Sequence, residues 1–530
     1  MARPNTKTTR RSAADTKTEV KNHLDTPEKD AIDHPKPVLW YTPAFELLQY
    51  FQRAADQWTA RYVVVITALV IRIAVGLGGW SGKGVAPMYG DFEAQRHWLE
   101  LTTHLPIHQW YFYDLPYWGL DYPPLTAFHS WVLGKIGGAI DSSWFALDES
   151  RGIETIGVQT FMRYSSLVSE MVLYIPGILS AVNLIAKTFK VSRMDQIVVV
   201  LIMLSQPSLV LIDHGHFQYN SVMLGLFLCS VVELIKRRLV VASVWFVCCL
   251  NFKQMGLYYS PFIFTYILSQ LESVTQLVMV GATVIGTQAV ILTPFLLGEQ
   301  PLATLTQIVV RVFPFARGLF EDKVANFWCV SNVVIKYKTM FTAADLSKLA
   351  LLATLASIIP INALLFYKLK SKRDQQTRIA AIVIGFTTTA LGFFFFSYQV
   401  HEKSILLALI PATLLLAIDP ALIDIVQWIN NVGCFSMYPL LKRDELVLQY
   451  WVTVFMANWF VGAPRLNHHS WLWRLIMVGS YLAMIGYHVA DATMAPPQQW
   501  PDLWVIINCG VAFAGFAVFY GWLHYRALQL

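Results

Sequence analysis

Charge is what this chain has least of. Asp, Glu, Lys and Arg together make up 14% of its 530 residues, against 55% hydrophobic and 14% aromatic. A soluble globular protein carries about 25% charged residues, so the composition excludes a fully water-covered surface. Paired cysteine spacing is also lacking. The six cysteines (Cys229, Cys248, Cys249, Cys329, Cys434 and Cys509) show no CxxC pattern and lie mostly in apolar runs, which reads as small buried hydrophobes rather than disulfides or metal ligands. There is no Asn-x-Ser/Thr sequon. Long apolar runs take the place of the short alternating strands that a transmembrane barrel would show. The first forty residues lack the apolar core of a cleavable signal peptide. A net charge of +6 is small for this length, and its Lys and Arg gather in short loops. That is a topology signal and speaks against a nucleic-acid partner.

What is present is a succession of apolar runs near the length that crosses a bilayer. They imply an all-α polytopic membrane protein with roughly 11 to 14 transmembrane helices. Spans are expected from Val63–Leu77, with Arg72 embedded, through Leu167–Leu184, Ile197–Ile212, Val222–Ile235, Leu239–Leu250 and Tyr258–Leu268. They continue at Val274–Leu297, Leu349–Phe366, Ala380–Phe396, Ile405–Ile418, Leu446–Phe460, Leu475–Val489 and Leu503–Trp522. Residues 1 to about 40, rich in Thr, Lys, Asp and Pro, read as a disordered tail, and Trp40–Trp58 as an amphipathic interfacial segment. The expected division is therefore 1–57, a cytosolic tail and interfacial helix, and 58–530, the membrane domain.

Lys and Arg collect in the tail, in Lys187–Arg193, in Lys236-Arg237-Arg238 and in Lys368–Arg378. By the positive-inside rule these face the cytosol. Counting crossings then gathers four polar segments on the opposite face: Asp91–Asp121, Asp213–Asn220, Arg311–Asn326 and Gln399–Lys403. The parity requires that Cys329–Thr339 does not cross. The loops on that face are a large first one, about 78–156, and a second at about 298–328. Convergence of four clusters on one face suggests one site.

In the first loop, Asp91, Glu93, Arg96 and His97 open a predicted amphipathic helix ending near His104-Leu105-Pro106. Asp91 and Glu93, two apart, do not share a helix face. An Asp here is most simply an N-cap; its company argues for more. The aromatics from Trp110 to Tyr122 suit a headgroup boundary, and Asp121-Tyr122-Pro123-Pro124 reads as a rigid extended turn. In the second cluster a metal is conceivable from Asp213, His214 and His216, but histidines two apart do not share a helical face. A hydrogen-bonding wall for sugar hydroxyls, or packing on the first loop, fits better. The third cluster, from Arg311 to Lys323, mixes cations and carboxylates among aromatics. Its simpler reading is a solvated loop with internal ion pairs. The fourth, His401-Glu402-Lys403, places ionisable residues in a short gap between apolar runs, where they are costly and suggest function. Its His401 and Lys403 are suited to holding a phosphate. A transporter would show internal repeats and binding groups near the midplane; the sequence shows neither.

Five stretches together carry a family resemblance. They are Tyr89-Gly90-Asp91-Phe92-Glu93-Ala94-Gln95-Arg96-His97-Trp98, Trp118-Gly119-Leu120-Asp121-Tyr122-Pro123-Pro124-Leu125-Thr126-Ala127, His214-Gly215-His216-Phe217-Gln218-Tyr219-Asn220, Arg317-Gly318-Leu319-Phe320-Glu321-Asp322-Lys323-Val324-Ala325-Asn326 and Val400-His401-Glu402-Lys403. In these the chain resembles the eukaryotic dolichyl-phosphate-glucose-dependent glucosyltransferases of the endoplasmic reticulum. Leu125–His129, Gly215 and Phe252-Lys253-Gln254-Met255 resemble the branch that adds the first rather than the second glucose.

The resemblance implies a multi-pass membrane enzyme of the lipid-phosphosugar (C-type) fold with its active site in the lumen. Its donor would be dolichyl-phosphate-glucose, its acceptor the nine-mannose lipid-linked oligosaccharide, and the new bond α-1,3. A β-linked donor and an α-linked product mean inversion by one displacement. Asp91 is then expected as the base, with His401, Lys403 and Arg317 at the donor phosphate. Asp121, His216 and Glu93 would position the acceptor or the loop. Neither a metal nor another cofactor is implied.

Overall fold

The computed structural model describes residues 35–53, 56–313, 318–320, 322–372 and 374–530. The predicted disordered tail, up to residue 34, and Arg317 of the third cluster lie outside the described residues. Residues 37–530 form one compact unit of helices, with no strand among the described residues.

Among the described residues, eight helices are long and apolar enough to cross a membrane: Asp56–Val75, Ile156–Thr188, Arg193–Phe217, Val274–Leu296, Ala343–Ser371, Gln375–Phe396, Trp471–Thr493 and Leu503–Gln529. Four shorter apolar helices accompany them, including Asn220–Ile235 and Leu239–Phe252. The expected 11 to 14 crossings therefore exceed the number of full-length helices. Interior runs are divided where they are packed by protein. The run predicted as Ile405–Ile418 is split into Leu406–Thr413 and Leu415–Ile418, with Pro411 removing a backbone donor inside the first piece. A fully buried helix, Ile423–Ser436, falls where no span was expected, because Asp424, Gln427, Asn430 and Asn431 interrupt its hydropathy.

Two further expectations are refined. The first spanning helix begins at Asp56, not Val63, so the end of the supposed interfacial segment belongs to it. The short helices Phe327–Ser331 and Tyr337–Met340 are far too brief to cross, as the topology required.

Arg72, the charge embedded in the first span, is neutralised by Glu170 on the Ile156–Thr188 helix. The guanidinium forks onto both carboxylate oxygens, at 2.7 Å (Nε) and 2.6 Å (Nη2), and both side chains are buried. Glu170 also meets His214 Nε2 at 2.6 Å. This network fastens two long helices to the turn that carries the second polar cluster. That turn, Leu211–Phe217, is wound as a π-helix, a local widening often found at functional sites.

Candidate active site

The predicted amphipathic helix is present as Gly90–His104. Tyr89, in the left-handed conformation, occupies its N-cap, so Asp91 lies inside the first turn and is free of capping duty. Glu93 points away from it, as their spacing required. Glu93 takes a two-pronged bond from Arg96 (2.7 Å each) and a 3.0 Å bond from Tyr117. Arg96 also reaches Glu100 at 2.5 Å and Ser150 at 2.6 Å. Glu93 and Arg96 are therefore loop architecture, tying the helix to residues 117 and 150. The helix Pro301–Val312 closes on the same loop: Arg311 donates to the carbonyls of Gly119 (2.7 Å) and Leu120 (3.1 Å). This extended stretch leads into Asp121, whose charge is felt by the buried Lys253.

Three of the four distant clusters meet at one carboxylate oxygen. Asp91 Oδ2 accepts from Lys403 Nζ (2.5 Å), Gln218 Nε2 (2.6 Å) and faces His216 Nε2 (2.9 Å). The Asp91 backbone N–H is held by Ser81 Oγ at 3.2 Å. No hydrogen bond reaches Oδ1 among the described residues, and the side chain keeps 28% exposure. One oxygen is thus fixed and the other is available.

Burial works to raise the Asp91 pKa, but the Lys403 charge and the His216 hydrogen bond outweigh it and hold the carboxyl well below the usual carboxylate range. Lys403 is the converse case. Burial lowers its pKa, and the Asp91 carboxylate more than restores it, so the ammonium is held above its ordinary value.

His401 does not touch Asp91. Its Nδ1 pairs with Asp322, from the third cluster, and its ring is 44% exposed. Burial acts to raise the Asp322 pKa, and the His401 hydrogen bond reverses this and lowers it. The two predicted phosphate cations are thus engaged differently, Lys403 on the base and His401 on a neighbouring carboxylate.

The histidines of the second cluster also part company. His214 turns to Glu170, His216 to Asp91, and Asp213 accepts from Asn220 Nδ2 (2.8 Å) and the Ser221 N–H (2.6 Å). They do not share a centre, and all three are buried, with His214 bordering the cavity beside Arg72 and Arg163.

Two site residues were not singled out as such from sequence. Lys253, buried at the end of the Leu239–Phe252 helix, donates to Asn220 Oδ1 (2.6 Å) and Gln218 Oε1 (3.2 Å) and sits 4.9 Å over the Tyr122 ring. It fixes the Gln218 amide with its NH2 toward Asp91. Burial, with the Lys403 charge second, brings its pKa down to about 7. The Phe252-Lys253-Gln254-Met255 stretch was a signal for it. The other, Asp444, lies in a C-terminal segment with no motif and could be found only in three dimensions.

The ALG6, ALG8 glycosyltransferase family matches over residues 68–525, a range that contains every residue of this site. The chain belongs to that family. A relative from Saccharomyces cerevisiae, named dolichyl pyrophosphate Man9GlcNAc2 alpha-1,3-glucosyltransferase, is 41% identical, covering 93% of this chain and 96% of its own. Its Schizosaccharomyces pombe counterpart, named a probable enzyme of the same kind, is 40% identical (92% and 96%). A Gallus gallus relative bearing the first name is 35% identical (88% and 96%). Among solved structures, ArnT from Cupriavidus metallidurans bound to undecaprenyl phosphate is similar at 14% identity with a TM-score of 0.41, over 90% of this chain and 78% of that one. Family membership makes the protein a glycosyltransferase, and the Asp91 cluster is its candidate centre.

Proposed function

We propose that this glycosyltransferase transfers the first glucose from dolichyl-phosphate-glucose to the nine-mannose lipid-linked oligosaccharide, in α-1,3 linkage, at the luminal face of the endoplasmic reticulum membrane. The names of its relatives support the acceptor and the linkage. The observation that carries the chemistry is a carboxylate with one oxygen gripped by two donors, Lys403 and Gln218, and faced by His216 Nε2, the other oxygen being unpartnered among the described residues.

In an inverting transfer the acceptor hydroxyl oxygen bonds to C1 of glucose as the C1–O bond to phosphate breaks. The hydroxyl proton passes to Asp91 Oδ1, and the bonding electron pair leaves on the phosphate. One base suffices, as on the water side of an inverting hydrolysis. No carboxylic acid is needed for the leaving group, since dolichyl phosphate departs as a stable anion.

A base held well below the carboxylate range is a weak one, and Lys403 is the reason. The growing charge on the leaving phosphate attracts the same ammonium. As Lys403 shifts toward it, Asp91 loses its strongest acidifying neighbour and gains basicity when the proton must be taken. His401, whose partner Asp322 feels the charges of both Lys403 and Asp91, is the second phosphate-binding group, released from Asp322 by the same competition. Asp121, whose charge acts on the buried Lys253 beside Gln218, serves acceptor positioning in this reading.

The reading is tested with purified protein, dolichyl-phosphate-glucose and lipid-linked acceptors carrying either no glucose or one. Transfer of a single glucose to the unglucosylated nine-mannose acceptor is expected. Activity confined to the acceptor already bearing one glucose would instead assign the second transfer.

A further inference from the structure

Behind Asp91 the contacts continue into the protein. His216 Nδ1 lies 2.5 Å from Asp444 Oδ2, and both side chains are all but fully buried, at 1% and 2% exposure. The imidazole is therefore clamped between two carboxylates, Asp444 on Nδ1 and Asp91 on Nε2. Lys403 Nζ also approaches Nε2, at 3.0 Å.

The approach of Asp444 depends on missing side chains opposite it. A Cβ on Gly79 would stand 2.3 Å from the Asp444 carbonyl oxygen, and one on Gly215 would stand 2.9 Å from Leu446 Cδ1. The turn that follows the Tyr438–Arg443 helix, with Glu445 in the left-handed region, is thereby seated directly against the π-wound turn of His216. The His216 carbonyl is fixed by the Ser81 N–H at 3.0 Å. Arg163 holds the His214 and Gly215 carbonyls. Backbone and ring are both secured.

We infer that Asp444 is a positioning residue for the transfer: by accepting the Nδ1 proton of His216 it fixes the ring tautomer and aims Nε2 at Asp91 and Lys403. The physical reason is that Nε2 has one position to offer. It donates to Asp91 when it carries a proton, and accepts from Lys403 when it does not. An ionised carboxylate on Nδ1 demands a proton there, which leaves Nε2 as the nitrogen that answers to Asp91 and Lys403. With an amide at position 444, an NH2 group can face Nδ1 and remove that demand. The ring then loses its fixed assignment although its volume and burial are unchanged. Partners that orient a metal-bound histidine in this way are commonly worth 10- to 100-fold, and a ring that must present one nitrogen to Asp91 and Lys403 depends on its partner in the same manner.

The inference rests on Asp91 being the base, so Asp91→Asn is assayed beside Asp444→Asn. Asp444→Asn is expected to lower kcat about 30-fold or more while KM for donor and acceptor stays within about twofold. A kcat within threefold of wild type in a folded Asp444→Asn protein overturns the inference. Turnover by folded Asp91→Asn overturns the base reading instead, whatever position 444 does. A second measurement holds even where Asp444→Asn fails to fold: the 15N solid-state spectrum of histidine-labelled wild type, with the His216 signals identified by their loss in His216→Gln. A protonated Nδ1 is expected, and an unprotonated Nδ1 overturns the assignment.

Discussion

Lys403 Nζ lies 2.5 Å from Asp91 Oδ2, although 312 positions separate the two residues. Neither side chain is more than 28% exposed. The pair joins the start of the long connection after the Asp56–Val75 helix to the short gap between the Gln375–Phe396 and Leu406–Thr413 helices, and it holds the Asp91 carboxyl below the usual carboxylate range.

Replacing Asp91 by Asn keeps the size and one acceptor oxygen for Lys403 and Gln218 but removes the proton acceptor. A positioned general base contributes about 10²- to 10⁴-fold. Turnover of Asp91→Asn is expected to fall at least 10²-fold with thermal unfolding in detergent changed by only a few degrees. Near-normal kcat in the folded variant would remove Asp91 from the role.

Lys403→Met predicts a pH effect of definite sign. In wild type the Asp91 pKa is lowered, so the carboxylate stays ionised, and its contribution to stability is present above the unfolded carboxylate value and lost only in strong acid. No acid limb from Asp91 is expected in kcat/KM between pH 5 and 7. Without Lys403, burial is less opposed and the Asp91 pKa moves up, so the acid limb of whatever activity remains should shift to higher pH. A limb unmoved in Lys403→Met would contradict the coupling.

Lys253 gives a second titration, opposite in effect to an ion-paired lysine. Its amine is lowered to about 7 from an unfolded value of about 10.4. Between these values the unfolded chain binds more protons, so stability from this group rises with pH, by at most about 1.4 kcal/mol per unit. The unfolding temperature of wild type relative to Lys253→Met is therefore expected to climb from pH 7 to pH 9. A constant difference across that range would refute it.

Arg72 and Glu170 predict stability rather than chemistry. Removing one partner of a buried pair costs about 3–5 kcal/mol, whereas replacing both by apolar groups of similar volume is often neutral. Arg72→Met should sharply lower the unfolding temperature, and Arg72→Met/Glu170→Leu should recover part of the loss. The recovery is incomplete because His214 also depends on Glu170. A double variant no more stable than Arg72→Met would show that the pair does more than neutralise itself.

Composition and hydropathy were enough to determine an all-helical membrane protein, because scarce charge and long apolar runs leave the backbone no other way to satisfy its polar groups in lipid. The amphipathic helix beginning at Gly90 and ending at His104 was readable from its capping region and Leu105-Pro106. The separation of Asp91 from Glu93 followed from helical periodicity alone. Motifs also marked His216, Gln218 and Lys403 as members of one site. Tertiary structure decided which atom each of them reaches. Lys403 was expected at the phosphate and lies on Asp91; His401 lies on Asp322. Asp444 has no local signature, since an Asp-Glu pair after a helix reads as a solvated turn. Its meaning arises when Gly79 and Gly215 let that turn close on His216. Periodicity and hydropathy are local properties that a sequence displays directly. Hydrogen-bond partners hundreds of residues apart are set by the packing of whole helices, and only the folded chain expresses that.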